Sequence, residues 1–145
     1  MAALLKTRGA QEVQCAEFTW SFGDTITNTS GASDAFATAA AHVADVISLP
    51  LNAIVVGGEV VTETAFTGPT AVNVKVGDSG ADDRYLGTTD RVAAGRTALV
   101  PTGYVNTGGL DLRLTMTPTV APVTVGKITV RVLFILRDRI CHNLV

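Results

Sequence analysis

Residues 53–76 read AIVVGGEVVTETAFTGPTAVNVKV, and the fold follows from how this stretch alternates. In its first half Ile54, Val56, Val60, Thr62, Thr64 and Phe66 share one parity, while Val55, Glu59, Val61 and Glu63 share the other. A period of two marks a β-strand, because successive side chains point to opposite sides of a pleated ribbon. Thr67-Gly68-Pro69 breaks the alternation with turn chemistry: glycine permits positive φ, and proline presets φ while removing a donor. Beyond the break Val72, Val74 and Val76 alternate with Asn73 and Lys75, so the stretch predicts two strands of a β-hairpin. Gly57-Gly58 inside the first strand predicts a bulge or a close backbone approach, since glycine otherwise weakens a strand. A hairpin cannot bury an apolar face alone, so the rest of the chain must supply an opposing sheet.

Working outward, residues 12–22 predict a strand with Ala16, Phe18, Trp20 and Phe22 on its apolar face, and residues 43–49 predict another. Residues 23–33 (GDTITNTSGAS) read as a loop, with a short strand around Thr25–Asn28 as an option. Residues 34–42 (DAFATAAAH) fit either a short helix capped by Ser33 or Asp34, or an irregular edge. After Val76 a glycine-rich region carries short apolar islands at Tyr85-Leu86 and 98–100. Residues 110–117 (LDLRLTMT) alternate cleanly, with Leu110, Leu112, Leu114 and Met116 inward, and residues 118–126 turn the chain. The closing strand, 127–137, places Ile128, Val130, Val132, Phe134 and Leu136 on one face. Its second half is apolar on both faces, so it belongs in the middle of a sheet or against a partner. About eight strands at short spacing and no sustained helical period predict an all-β, single-domain antiparallel β-sandwich or jelly roll.

The totals narrow the function. At 145 residues the chain is expected to be one domain, residues 12–145, preceded by an N-terminal arm, residues 1–11. Hydrophobic residues make up 47% and charged ones only 17%, too little charge for a disordered chain and little enough to suggest apolar surface held for a partner. A net charge of -2 without any Lys/Arg run argues against a nucleic-acid partner. No apolar run approaches the ~20 residues of a membrane helix, so no membrane partner is expected. In MAALLKTRGA the apolar residues precede Lys6 and Arg8, the reverse of a signal peptide. Cys15 and Cys141 fit no disulfide-framework spacing and read as small buried or half-buried hydrophobes in a reducing compartment, although pairing of the terminal strands would bring them within reach.

Several fragments invite a chemical reading. TAAAH (38–42) and GDSG (77–80) look like the histidine and serine segments of trypsin-like proteases, with Ser79, His42 and either Asp45 or Asp90 as the triad. The histidine fragment carries an extra alanine and no following cysteine, GDSG runs into Ala81-Asp82-Asp83, and the chain is too short for two barrels. The simpler reading of GDSG is a turn after a strand. Asp78, Asp82, Asp83 and Asp90 could supply oxygens to Ca²⁺ but miss the EF-hand spacing. Cys141-His142 is a poor zinc chelate, because adjacent residues of an extended chain point apart. Phe18, Trp20 and Phe22 would make a carbohydrate platform only if exposed, and core burial explains them better. No catalytic residue, metal site or cofactor is expected.

The segments VVGGEVVTETAF (55–66), VGDSG (76–80), DRYLGTTD (83–90), AAGRTALVPTGY (93–104), GLDLRLTMTPT (109–119) and GKITVRVLFI (126–135) together resemble small virion proteins of tailed bacteriophages. In particular the chain is similar, from about residue 11 to residue 137, to the capsid cement (decoration) proteins with a jelly-roll fold. That resemblance implies a protein of the virion surface, made in the host cytoplasm. Such a protein self-associates, commonly as a homotrimer, and locks neighbouring major capsid protein subunits together. It carries no catalytic motif. Similar modules serve in tails, necks and fibres, and a carbohydrate-binding β-sandwich is the alternative of a different class. The candidate interface residues are Leu4, Leu5, Lys6 and Arg8 in the arm, with Arg137 and Arg139 at the other end of the chain.

Overall fold

The computed structural model describes residues 12–137, which contain eleven strands and no helix. They are β1 (Gln14–Ser21), β2 (Ile26–Thr27), β3 (Ser33–Asp34), β4 (His42–Ile47), β5 (Ala53–Thr67), β6 (Ala71–Gly77), β7 (Leu86–Asp90), β8 (Gly95–Ala98), β9 (Val105–Asn106), β10 (Leu112–Thr119) and β11 (Val125–Leu136). One sheet runs β1-β11-β5-β8, with β9 also on β5; the second runs β4-β10-β6-β7; β2 and β3 form a small ribbon. Every pairing is antiparallel. Setting aside the two-residue strands β2, β3 and β9 leaves eight. In chain order one sheet is then first–eighth–third–sixth and the other second–seventh–fourth–fifth, the strand order of a jelly roll. The expected all-β sandwich of about eight strands is therefore what the chain forms.

The core lies between the sheets. Trp20, Val60, Ile128, Val130 and Val132 from the first sheet meet Val72, Val74, Val76, Leu112, Leu114 and Met116 from the second, all fully buried. Trp20 stacks on Phe66 with ring centroids 6.2 Å apart, and its indole N–H donates to the Asp24 carbonyl at 3.2 Å. Apolar area removed from water at roughly 25 cal/mol per Å² dominates this balance.

Several local expectations need correction. The 53–76 stretch is not a hairpin: β5 and β6 lie in different sheets, and Thr67–Thr70 is a corner between them. Alternation and turn chemistry look the same for a hairpin and for a corner, because only the partners of each strand differ. A Cβ on Gly68 (φ +109°) would lie 2.1 Å from the Pro122 carbonyl oxygen, so the corner packs tightly against the β10–β11 connection. Phe22 follows the end of β1 and is exposed, not core. Of the two options for residues 34–42, the irregular edge is found and the helix is not; Phe36 sits there with φ 52° and is fully buried. Strand β10 continues through Pro118 to Thr119, past the expected turn. Cys15 is exposed.

The predicted irregularity at Gly57-Gly58 is a β-bulge that decides the path of β5. Leu133 pairs with Gly57 and Phe134 with Val55, so Val56 is an extra residue. The inward face switches there, from Ala53 and Val55 to Val60, Thr62 and Phe66, which puts Ile54 and Val56 on the outer face instead of in step with Val60. Gly58 has φ +139°, and a Cβ on it would lie 2.3 Å from the Arg131 carbonyl oxygen. Gly58→Ala is expected to destabilise the protein by about 2 kcal/mol or more through backbone strain and the forced shift of β11. An unchanged midpoint in a urea titration of this variant would refute that account of the bulge.

Candidate interaction surface

Of the residues expected at an interface, Leu4, Leu5, Lys6, Arg8 and Arg139 lie outside the described residues. Arg137 is described: it directly follows β11, is exposed, and its N–H donates to the Asn52 carbonyl at 2.9 Å. Cys141 and His142 also lie outside.

The residues that invited catalysis are not brought together. His42 pairs with Met116 on one side of β10, while Gly77 pairs with Arg113 on the other side. Strand geometry therefore holds His42 and Ser79 roughly 14 Å or more apart. His42 is buried and already engaged: Nδ1 faces the Asp34 carboxylate at 2.9 Å, Nε2 faces the Thr38 carbonyl at 2.9 Å, and the ring stacks on Phe36. Asp45 pairs instead with Arg113 at 2.7 Å, and Asp90 accepts from the N–H groups of Val72 and Val92 at 3.0 Å each.

The GDSG segment is a capped turn. Asp78 is buried, and its Oδ1 accepts from the N–H groups of Gly80 (2.8 Å) and Ala81 (2.9 Å), while its Oδ2 pairs with Arg84 Nε at 2.5 Å. Arg84 in turn lies over the Tyr104 ring, 3.6 Å from its centroid. Asp82 pairs with Lys75 at 3.1 Å. Asp78 thus serves the loop itself, and among the described residues no group of three His, Cys, Asp or Glu converges as a metal site would require. Phe18, Trp20 and Phe22 form no platform: Trp20 is wholly buried, Phe18 is half-buried, and Phe22 alone of the three is exposed.

What the fold does present is the outer face of the five-stranded sheet. Across it alternating charges meet in a row: Glu17 on β1, Arg131 on β11 and Glu59 on β5 are in register, and Arg96 on β8, opposite Val61, reaches back along the strand to Glu59. Arg131 bridges Glu17 (2.5 Å) and Glu59 (3.0 Å), and Arg96 donates to Glu59 at 2.8 Å. Next to it Thr19 and Thr129 share a hydrogen bond, Thr129 donates to Glu63, and Lys127 pairs with Glu63. On the other side of the row the face turns apolar. Val13, Cys15, Val56 and Leu133 are exposed there, with Ile54 and Ile135 half-buried. A shallow pocket of about 280 Å³ lies where the two zones meet, lined by Cys15, Gly58, Glu59, Arg96, Arg131 and Leu133. The sequence signal for this face was the doubly apolar half of the closing strand; the charged row had none, because its members lie far apart in the chain.

No family model and no curated protein matches this sequence. Among solved structures the chain is similar to one in the cyanophage Pam1 capsid asymmetric unit, with 23% identity, a TM-score of 0.64, and coverage of 94% of this chain and 93% of that one. It is also similar to a chain of the acid-stable capsid of Helicobacter pylori bacteriophage KHP30 (19% identity, TM-score 0.59, 86% and 87% coverage). A third is in the capsid of Ralstonia phage GP4 (17% identity, TM-score 0.58, 90% and 88% coverage). At these identities the likeness is one of fold, and it spans nearly the full length of each partner.

Burial pushes the Asp78 carboxyl up, but the bonds from Arg84, Gly80 and Ala81 outweigh it and hold the group below its ordinary value. Asp34 is likewise pushed up by burial and held down by His42 and the Phe36 N–H. A carboxyl depressed in the folded state contributes stability above its unfolded pKa, and that contribution is lost as pH falls through the folded one. Stability is therefore expected to decline below about pH 4, and Asp78→Asn to flatten that decline while lowering stability at neutral pH by about 1–3 kcal/mol. Melting curves from pH 7 to pH 2.5 test both; parallel curves for variant and wild type would sink the assignment.

Proposed function

We propose that this protein is a capsid cement, or decoration, protein of a tailed bacteriophage. It sits on the outside of the shell as a homotrimer and holds adjacent major capsid protein subunits together. The observation that carries this reading is the near-full-length likeness of fold to chains from three phage capsids. The sequence resemblance to phage cement proteins points the same way. So does the surface: polar groups of the tempting motifs are engaged inside the fold, while apolar side chains are exposed on the outer face of the five-stranded sheet. Binding many identical sites on a shell calls for surface complementarity, not for assembled chemistry. Among the described residues, the aromatic platform that a carbohydrate-binding module would need is missing, which counts against that alternative.

In this reading residues 1–11 act as an arm, and Leu4, Leu5, Lys6, Arg8, Arg137 and Arg139 contribute contacts to the shell or to neighbouring copies. The sandwich supplies the rigid body. No cofactor takes part.

Two measurements test the proposal. Light scattering on the purified protein is expected to give a trimer whose mass is unchanged by EDTA; a monomer at all concentrations would overturn the trimeric cement reading. Co-sedimentation with phage shells stripped of this protein is expected to show saturable binding. Deletion of residues 1–11 is then expected to weaken binding while leaving the melting temperature in place. Absence of binding by the full chain would refute the capsid role, and unweakened binding by the deletion variant would remove the arm from it.

A further inference from the structure

We infer that the outer face of the five-stranded sheet is a self-complementary contact that pairs two copies of this chain about a two-fold axis. The inference stands on the face alone and does not depend on which shell protein the domain meets.

The first argument is the order of charges. From β1 to β8 the row of charged head groups reads Glu17, Arg131, Glu59, Arg96, that is, minus, plus, minus, plus; the first three are in register, and Arg96, opposite Val61, reaches back to Glu59. A partner of one sign would be repelled by half of it. A second copy, turned about an axis parallel to the strands and passing between β11 and β5, presents the same row reversed. Arg131 then meets Glu59 of the partner, and the partner's Arg96, which stands two residues along from the level of Glu59 but reaches back to its carboxylate, comes within side-chain reach of Glu17, with no like charges opposed. The same rotation returns the apolar band, Val13, Cys15, Val56 and Leu133, onto its own copy. An isologous interface requires this kind of self-matching.

The second argument is a glycine with no internal reason. Gly58 is required where it is, as shown above. Gly57, beside it, does not have a left-handed φ, and a Cβ there would meet only Leu133 Cδ1, at an ordinary 3.7 Å. Gly57 and Leu133 are cross-strand partners on either side of the proposed axis. The rotation therefore seats the exposed Leu133 of each copy over the bare Gly57 of the other. A knob and a hole in register on one face fit a second copy of that face.

The area sets the strength. Four strands by about seven residues span roughly 19 by 23 Å, which belongs to the small, transient class of contacts. Such a pair forms measurably only at high concentration in solution, and gains from the enforced proximity of copies on a shell.

The test is sedimentation equilibrium from about 10 μM to about 1 mM at low salt, read as dimerisation of whatever unit the chain forms, monomer or trimer. Glu17 and Arg96 lie three strands and two residues apart within one chain, roughly 16 Å, so a direct contact between their charges forms only through the partner. Glu17→Arg and Arg96→Glu alone each create two like-charge contacts across the axis and are expected to weaken pairing by about tenfold or more. The double variant makes every contact across the axis complementary again, with like charges beside Arg131 and Glu59 only within each chain, and is expected to restore pairing above either single variant. Gly57→Val is expected to abolish pairing with little change in melting temperature, valine being favoured in a strand. The inference is overturned if the wild type shows no such association, if the double variant is no better than the single ones, or if Gly57→Val pairs normally. Shell binding, measured separately, fails or survives independently of these results.

Discussion

The close passage of Gly58 under the Arg131 carbonyl is the contact on which the architecture turns. Strand β5 is the longest, and its neighbours in the sheet are β11, β8 and β9. A strand of 15 residues cannot keep one parity inward along its whole length and still follow a twisted, curling sheet. The bulge at Val56 resolves this by shifting the inward set from Ala53 and Val55 to Val60 and Thr62. The Gly58 carbonyl also accepts the Leu99 N–H at 3.0 Å, so the entry of the chain from β8 is tied at the same point. Without that shift, one half of β5 would turn its valines to water and its polar residues to the core.

The polar contacts divide into two kinds by magnitude. The charges on the outer face stand at the solvent boundary, with Arg96 73% exposed, and such screened pairs contribute little to stability. Their effect is on register, because a one-residue slip of β1 on β11 would break the Glu17–Arg131 match. Asp78 is different. A buried carboxylate left without its donors costs more than an exposed pair ever yields, so the interaction that orders the 77–84 loop is the capping of Asp78 and its bond to Arg84.

The sequence made the sandwich legible wherever a strand keeps one parity, as in 112–116 and 128–134. The bulge was legible because two glycines interrupted β-branched residues. The corner at Gly68-Pro69 was misread as a hairpin because local chemistry specifies that the chain turns, while partner choice is decided by β10 and β11 more than 40 residues later. Phe22 was misread because parity does not show where a strand ends. The candidate surface was only half visible: Leu133 and Ile135 announced themselves as apolar residues on the wrong face. Glu17, Glu59, Arg96 and Arg131 could be joined only once the register was known.

Bond by bond, the catalytic-looking fragments do not assemble into a catalytic site among the described residues. Histidine, aspartate and serine serve reactions when their polar atoms are left unengaged in a cleft, and serve folding when those atoms are consumed. Both ring nitrogens of His42 and both oxygens of Asp78 are consumed. On the outer sheet face the bookkeeping is reversed: polar groups are matched among themselves, while Leu133, Val56 and Val13 are left without cover and Gly57 is left without a side chain. Reactive groups engaged inside the fold and apolar groups exposed on one sheet face fit the proposed role in contact, and that face is where the contact is to be sought.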